Sequence, residues 1–174
     1  MGLDTYIYKG WKDEVDSYYD IKTKKRITIP RQGIEIGQFR KNYVFMEWME
    51  KRLGFEMQDQ EYYVLYEPDV KALLADCELV IDLVKDANGV KEDDFNWDLQ
   101  YKFTDELRKQ IIKIFPQNNW NKEDFSHWDK GASAPTLVPH HFGMRDFEDV
   151  KHIRAMFCNI IGEYVDKVII YNSW

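Results

Sequence analysis

Two hydrophobic periodicities divide the chain, one typical of strands and the other of helices. "DTYIYKG" alternates β-forming residues and predicts a first strand, and "KRITIP" and "GIEI" predict two more. "EYYVLY" and "NWDLQYKF" are two later strand segments, and "DKVIIYNSW" predicts a strand that closes the chain. The first and last strands are both apolar and rich in β-forming residues, so we expect them to be neighbours in the sheet.

Four other segments repeat apolar residues every three or four positions, which predicts amphipathic helices. They cover residues 38–54, 67–89, 105–115 and about 145–164. Gly54 provides a stop for the first helix, and Pro68 suits the first turn of the second. Because strands and helices interleave without regular βαβ spacing, the predicted fold class is α+β. We expect one domain, residues 1–174, with a largely antiparallel mixed sheet and about four helices packed on it.

Composition restricts the setting of the protein. The formal net charge of −7 favours solubility and argues against a nucleic-acid partner or an anionic membrane surface. No apolar run is long enough for a signal peptide or a membrane span, so we expect a cytoplasmic protein. Cys77 and Cys158 fall on apolar positions of predicted helices, which predicts two reduced, buried thiols.

A long segment at about 115–144 has neither helical nor strand periodicity, and loops of this length in compact domains are usually functional or disordered. It contains Trp120, Trp128 and other aromatic residues, whereas disordered segments are poor in aromatics. We therefore expect an ordered loop packed by its own side chains, with Trp120 and Trp128 as candidate binding residues. The alternative is a self-packed cover over the helices that binds nothing.

All four histidines of the chain lie in the stretch from Ser126 to His152: His127, His140, His141 and, in the predicted fourth helix, His152. No H-E-x-x-H, C-x-x-C or His-x-His pattern accompanies them, so the sequence predicts neither a metal site nor a cofactor. His127, His140 and His141 are candidate binding residues, together with Arg145 nearby. We expect His152 to form a solvated pair with Glu148, four residues earlier on the same helix face.

A second candidate site involves Asp4 and Arg40. Asp4 begins the first strand, where aspartate is disfavoured. Arg40 and Lys41 are predicted to begin a helix, where a cation opposes the helix dipole, so a partner carboxylate from Asp4 or Asp146 is expected. Such a pair could clamp the chain ends to the helices and, if buried, would cost about 3–5 kcal/mol to break singly. The alternative is a polar pocket at the sheet end that holds a small anionic ligand.

Several blocks of the sequence together resemble a family of small uncharacterised proteins of phages and bacterial prophages. The blocks are "MGLDTYIY", "IGQFRKNYVFMEWM", "EYYV", "HHFGMRDFEDV" and "YNSW". The family typically opens with a Met-Gly-Leu-Asp-x-Tyr strand and ends with Tyr-x-Ser-Trp. The resemblance implies expression in the cytoplasm of a bacterial host, and no particular activity. It directs attention to Tyr6 and Tyr171 as well as to Asp4 and Arg40.

Three functional hypotheses follow from these features. The favoured one is a protein-interaction module that inhibits or modulates a host protein, because the chain is small, acidic and aromatic-rich and has no catalytic motif. The second is a small-molecule or nucleotide binder, in which Tyr or Trp rings stack on a base and Arg40 or Arg145 contacts the phosphate. The third is a hydrolase or transferase with His140 or His141 as general base.

Overall fold

The computed structural model describes residues 4–10, 15–20, 23–30, 33–54, 56–90, 100–116, 123–124, 136–137, 142–160 and 167–173. Within these ranges the chain forms eight strands and four helices. The strands are β1 (Asp4–Gly10), β2 (Val15–Asp20), β3 (Lys25–Pro30), β4 (Ile34–Arg40), β5 (Tyr62–Tyr66), β6 (Glu123–Asp124), β7 (Thr136–Leu137) and β8 (Lys167–Ser173). The helices are α1 (Tyr43–Leu53), α2 (Glu67–Ala87), α3 (Asp105–Ile114) and α4 (Met144–Cys158).

The central sheet has four strands in the order β4-β1-β8-β5, and every neighbouring pair is antiparallel. β1 pairs with β8 over its whole length, from Asp4 opposite Ser173 to Gly10 opposite Lys167. The prediction that the first and last strands are neighbours is therefore confirmed. β2 and β3 form a separate hairpin that also contacts β5, and β6 pairs with β7 over two residues.

One face of the central sheet is covered by helices and forms the core. Phe39 on β4 contacts Phe45 of α1 and Phe157 of α4, with ring centroids 5.1 and 6.5 Å apart. At Gly37 the approach of α4 is so close that an added Cβ would lie 2.5 Å from the Cε of Met156. α2 contacts β5 and α4, and α3 packs against α2. This arrangement confirms the predicted α+β class with helices packed on a largely antiparallel sheet.

Helix α1 begins later than predicted, at Tyr43 rather than near residue 38. β4 continues to Arg40 because Phe39 pairs with Thr5 across the sheet. Asn42 then caps the helix, since its side-chain oxygen accepts a hydrogen bond from the Phe45 amide at 2.9 Å. The prediction that Arg40 and Lys41 begin a helix is thus wrong, because both residues precede the cap.

The predicted strand "NWDLQYKF" does not form in its described part, residues 100–103. The Asn88 side chain forms two hydrogen bonds with the Lys102 backbone. Its Oδ1 accepts from the Lys102 amide at 2.8 Å, and its Nδ2 donates to the Lys102 carbonyl at 3.1 Å. Tyr101 and Phe103 instead place their rings against Phe147 of α4. Conversely, β2 was not predicted as a strand. It pairs with β3 over all six of its residues.

Side chains also join the helices to one another. The Trp48 indole of α1 donates to Asp76 Oδ2 of α2 at 2.8 Å, and an Arg154–Glu78 ion pair joins α4 to α2. Lys51 of α1 donates to the carbonyl oxygens of residues 113 and 114, which lie at the C-terminal end of α3. These contacts join the four described helices to one another on the core side of the sheet, where α1 and α4 contact Phe39 and α2 contacts β5.

Candidate functional site

Four tyrosines lie on the face of the central sheet that points away from the helices. Successive strand residues point to opposite faces, and Thr5 and Ile7 are buried beneath the helices, so Tyr6 and Tyr8 point outward. Tyr6 pairs with Tyr171 on β8, and Tyr171 pairs in turn with Tyr62 on β5. We call this set, Tyr6, Tyr8, Tyr62 and Tyr171, the tyrosine face.

Three rings of the tyrosine face form a row. The ring centroids of Tyr62 and Tyr171 are 4.7 Å apart, and those of Tyr6 and Tyr171 are 6.2 Å apart, with interplanar angles of 34° and 37°. These separations are in the range of favourable aromatic pairs. All four side chains are half-buried, and Ile169 between Tyr8 and Val64 is fully buried. This face is therefore largely aromatic and aliphatic.

Two hydroxyl groups on this face, those of Tyr8 and Tyr62, have raised pKa values. Burial raises the pKa of Tyr8, and the nearby Glu35 carboxylate and the other three tyrosines raise it further. Burial also raises the pKa of Tyr62, with a smaller contribution from Tyr171. Both rings therefore stay neutral at physiological pH and can donate or accept hydrogen bonds. The mutual influence of the four groups indicates that their hydroxyls lie in one region.

Glu35 is a charged residue beside this aromatic surface, and its carboxylate acts on the Tyr8 hydroxyl. It pairs with Tyr8 across β4 and β1, so both side chains point to the outer face, and Glu35 is exposed. Among the residues that the structure describes, its carboxylate forms no ion pair. An exposed negative charge thus lies at the margin of the tyrosine face.

Asp4 and Arg40 also lie on this face, at its end, as directly paired residues of β1 and β4. The Arg40 Nε is 3.9 Å from Asp4 Oδ1, and the two side chains are 78% and 31% exposed. The partner of Arg40 is therefore Asp4 and not Asp146, whose Oδ2 accepts from the Gly143 amide at the start of α4. Asp4 Oδ1 is buried and has no hydrogen-bond partner among the described residues, but Arg40 is largely exposed. The pair therefore contributes about 0–1 kcal/mol to stability and not the roughly 3–5 kcal/mol considered for a buried pair.

The opposite face of the same sheet end contains a buried polar pair. Thr5 Oγ1 donates to Asn172 Oδ1 at 3.0 Å, and both residues are almost fully buried. The Nδ2 of Asn172 has no hydrogen-bond partner in the described part of the chain. Because this pair joins the first strand to the last beneath the helices, it contributes to the fold and is not accessible to a ligand.

Most candidate residues of the 115–144 segment lie outside the described residues. These are Trp120, His127, Trp128, His140 and His141. Arg145 is described and exposed in the first turn of α4, where its charge lowers the pKa of Asp149 against a larger upward effect of burial. The structure brings Asp4 and Arg40 together, whereas Arg145 lies on a separate element.

His152 has a different partner from the one predicted. Its ring lies edge-on against Phe39 of β4, with centroids 5.1 Å apart. Glu148 pairs with Lys151, three residues later, at 2.6 Å. The predicted Glu148–His152 pair is therefore wrong, because Lys151 reaches the carboxylate and the histidine ring packs on an aromatic neighbour.

Other chemical features of the described residues are few. No group of three or more His, Cys, Asp or Glu side chains in the described ranges is arranged to hold a metal ion. Cys77 is buried, as predicted, and burial raises the pKa of its thiol well above the usual range. Cys158 is exposed, so the prediction that it is buried is wrong. Among the described helices, none is both long and apolar enough to cross a membrane.

Part of the tyrosine face can be anticipated from the sequence. The alternation in "DTYIYKG" places Tyr6 and Tyr8 on one side of a strand, and the family resemblance draws attention to Tyr6 and Tyr171. Tyr8, Tyr62 and Glu35 were not identified as site residues, because their proximity depends on the order and register of four strands. Comparison with known proteins finds no matching family model, no similar curated protein and no similar solved structure.

Proposed function

We propose that this chain is a protein-interaction module that binds its partner through the tyrosine face. The observation that carries the proposal is the row of Tyr6, Tyr171 and Tyr62 rings across three adjacent strands, half-buried on the sheet face that points away from the described helices. Tyrosine is enriched among the residues that dominate binding energy at protein interfaces. Its ring supplies a large contact area at low cost in conformational entropy.

The position of these rings supports binding more than stability. The core lies on the other face, where Ile7, Ile170 and Leu65 are fully buried against the helices. The outer tyrosine rings are only half-buried, so part of their surface remains in water. A partner that covered them would remove that remaining apolar surface from water, which is favourable by about 25 cal/mol per Å².

The family resemblance suggests the setting of this interaction. A protein of a phage or prophage would meet its partner in the bacterial cytoplasm, and we propose that the partner is a host protein that it inhibits or modulates. The small size and the aromatic-rich composition of the chain support this class of partner, since aromatic residues dominate protein interfaces.

Site-specific photo-crosslinking in bacterial cells tests the proposal. A photoreactive phenylalanine analogue placed at position 8 or 62 should form covalent adducts with one or a few proteins. The control positions are Leu79 and Ile112, which are exposed apolar residues on helices α2 and α3. Adducts that form only at the control positions, or that contain nucleic acid rather than protein, would refute the proposal.

A further inference from the structure

The geometry points to a specific partner chemistry: the tyrosine face, together with Glu35, binds an arginine side chain in a basic segment of the partner protein. This inference rests on the proposed function and deepens it, because it states which part of the partner the face would recognise. Three features carry it: the electronic character of the rings, the exposed carboxylate beside them, and the balance of charge on the face.

The rings provide the first feature. The face of an aromatic ring carries partial negative charge and attracts a cation positioned within about 6 Å of the ring centroid. Tyr6, Tyr62 and Tyr171 form a row with adjacent centroids 4.7 and 6.2 Å apart, so a cation above the row would approach more than one ring. This attraction is stronger where the rings are partly desolvated, and all four tyrosines are half-buried.

Glu35 provides the second feature. It is opposite Tyr8 in the strand register, is exposed, and has no ion-pair partner in the part of the chain that the structure describes. An arginine stacked on the rings could direct its N–H groups to this carboxylate and to the tyrosine hydroxyls, which can accept hydrogen bonds. A carboxylate beside aromatic rings is thus a combination that suits a cation.

The balance of charge on the outer face provides the third feature. Arg40 lies beside Asp4 at one end, and Lys167 at the other end is buried and makes contacts of its own. Glu35 is exposed, and its carboxylate acts electrostatically on the Tyr8 hydroxyl. Because the whole protein has a formal net charge of −7, its overall field also attracts a basic segment and repels an acidic peptide or a phosphate.

Arginine fits this arrangement better than lysine. The guanidinium group is planar, so it can stack on tyrosine rings, and it presents five N–H donors to several acceptors at once. It is also more weakly hydrated than an ammonium group, so its transfer onto a half-buried aromatic surface costs less. We therefore expect the same peptide to bind more weakly when lysine replaces arginine.

A peptide titration followed by NMR tests this inference. The probes are the blocked peptide Gly-Arg-Gly-Arg-Gly and three counterparts, in which lysine, citrulline or glutamate replaces both arginines. Citrulline matches arginine in shape but has no charge. The ring signals of all four face tyrosines, recorded on tyrosine-labelled protein, should shift with the arginine peptide. Affinity should fall roughly threefold to tenfold with the citrulline peptide.

A variant separates the role of Glu35 from general electrostatic attraction. Glu35→Gln should weaken the arginine peptide several-fold and leave the weak citrulline binding unchanged. The control is Glu106→Gln, which removes the same charge from an exposed residue of α3. It should change neither the affinity for the arginine peptide nor that for the citrulline peptide. Both variants should unfold at the same urea concentration as the parent protein.

The outcomes distinguish this inference from the proposed function. Equal binding of the arginine and citrulline peptides, tighter binding of the glutamate peptide, or an arginine peptide that shifts no face tyrosine would each overturn the inference. In those cases protein adducts at positions 8 and 62 would still support the tyrosine face as an interface for another kind of partner. An absence of protein adducts at these positions would refute the proposed function itself.

Discussion

The hydrogen bond between Thr5 and Asn172 is a sharp test of how the two ends of the chain are joined. Thr5 is 2% exposed and Asn172 is fully buried, so neither side chain can exchange its partner for water. Thr5→Val keeps the shape of the side chain and removes the hydroxyl that donates to Asn172 Oδ1 at 3.0 Å. The variant leaves a buried acceptor unsatisfied, so we expect a loss of about 1–3 kcal/mol in the free energy of unfolding.

The double variant Thr5→Val, Asn172→Leu should recover part of this loss. Leucine has nearly the shape of asparagine, and it removes both the orphaned acceptor and the Nδ2 that already has no partner among the described residues. The backbone bonds of residue 172, from the Gln60 amide and to the Glu61 carbonyl, do not depend on its side chain. We therefore expect the double variant to be no less stable than Thr5→Val alone.

Equilibrium unfolding in urea measures these differences, with the slope m expected to stay constant across the four proteins of the cycle. A constant slope indicates that the folded and unfolded states keep their compactness. The reasoning would be refuted if Thr5→Val changed stability by less than about 0.5 kcal/mol, or if the costs of the two single substitutions simply added. Either result would mean that the two side chains do not depend on each other for burial.

Three further predictions concern single residues. Asp76→Ala should cost about 1–3 kcal/mol in urea unfolding, because the buried Trp48 indole loses its acceptor, whereas Asp76→Asn should cost less. Gly33→Ala should lower stability by about 1–3 kcal/mol or more, because its Cβ would lie 1.5 Å from the backbone oxygen of Lys9; an unchanged midpoint would contradict this. Burial, followed by repulsion from neighbouring carboxylates, raises the pKa of Asp149 from 3.8 to about 6. The folded state then binds this proton more tightly than the unfolded state, so stability contributed by this group falls as pH rises from about 4 through 6. Asp149→Asn should be more stable than the parent at about pH 7.5, with a difference that shrinks towards about pH 4.5; a constant difference would exclude this cause.

Local sequence patterns were enough to predict those elements whose local preference agrees with their tertiary contacts. The alternation in β1 and the broad apolar stripe of α2 were sufficient, because in each case the local preference and the tertiary contacts agree. Cys158 shows the limit of the same reasoning. Its position in the sequence suggested the apolar stripe of α4, yet the side chain is exposed, since the position of a helix against its neighbours decides which residues at the margin are covered.

The start of α1 could not be predicted from local pattern alone. Phe39, Tyr43 and Met46 are spaced as on a helix, but Phe39 reaches the same core from a strand that pairs with β1. Either a helical or an extended backbone could place the Phe39 side chain in the core. The pairing of Phe39 with Thr5 across the sheet decides for the extended one. Arg40 therefore lies at the end of a strand and not at a helix terminus. The argument that its charge opposes a helix dipole and needs a buried partner does not apply there.

The tyrosine face depends even more on long-range structure. Tyr6 and Tyr171 come from opposite ends of the chain, and Tyr62 joins them only because β8 lies between β1 and β5. Single residues in three segments carry no local sign of a shared site. The candidate residues of the 115–144 segment belong to another part of the chain and stay a prediction.

The sheet separates the contributions of its two faces to folding and binding. Alternate residues of β1 serve different purposes: Thr5 and Ile7 lie in the core, and Tyr6 and Tyr8 point outward beside them. Substitution of Thr5 should therefore lower the free energy of unfolding, because it removes a buried hydrogen bond, and should change binding only through the folded fraction. Substitution of Glu35, which is exposed and forms no ion pair with the described residues, should change affinity for an arginine peptide and leave unfolding unaltered. If Glu35→Gln destabilised the fold, or Thr5→Val weakened peptide binding while the protein stayed folded, the two faces would be coupled through the strand. The assignment of binding to the outer face alone would then fail.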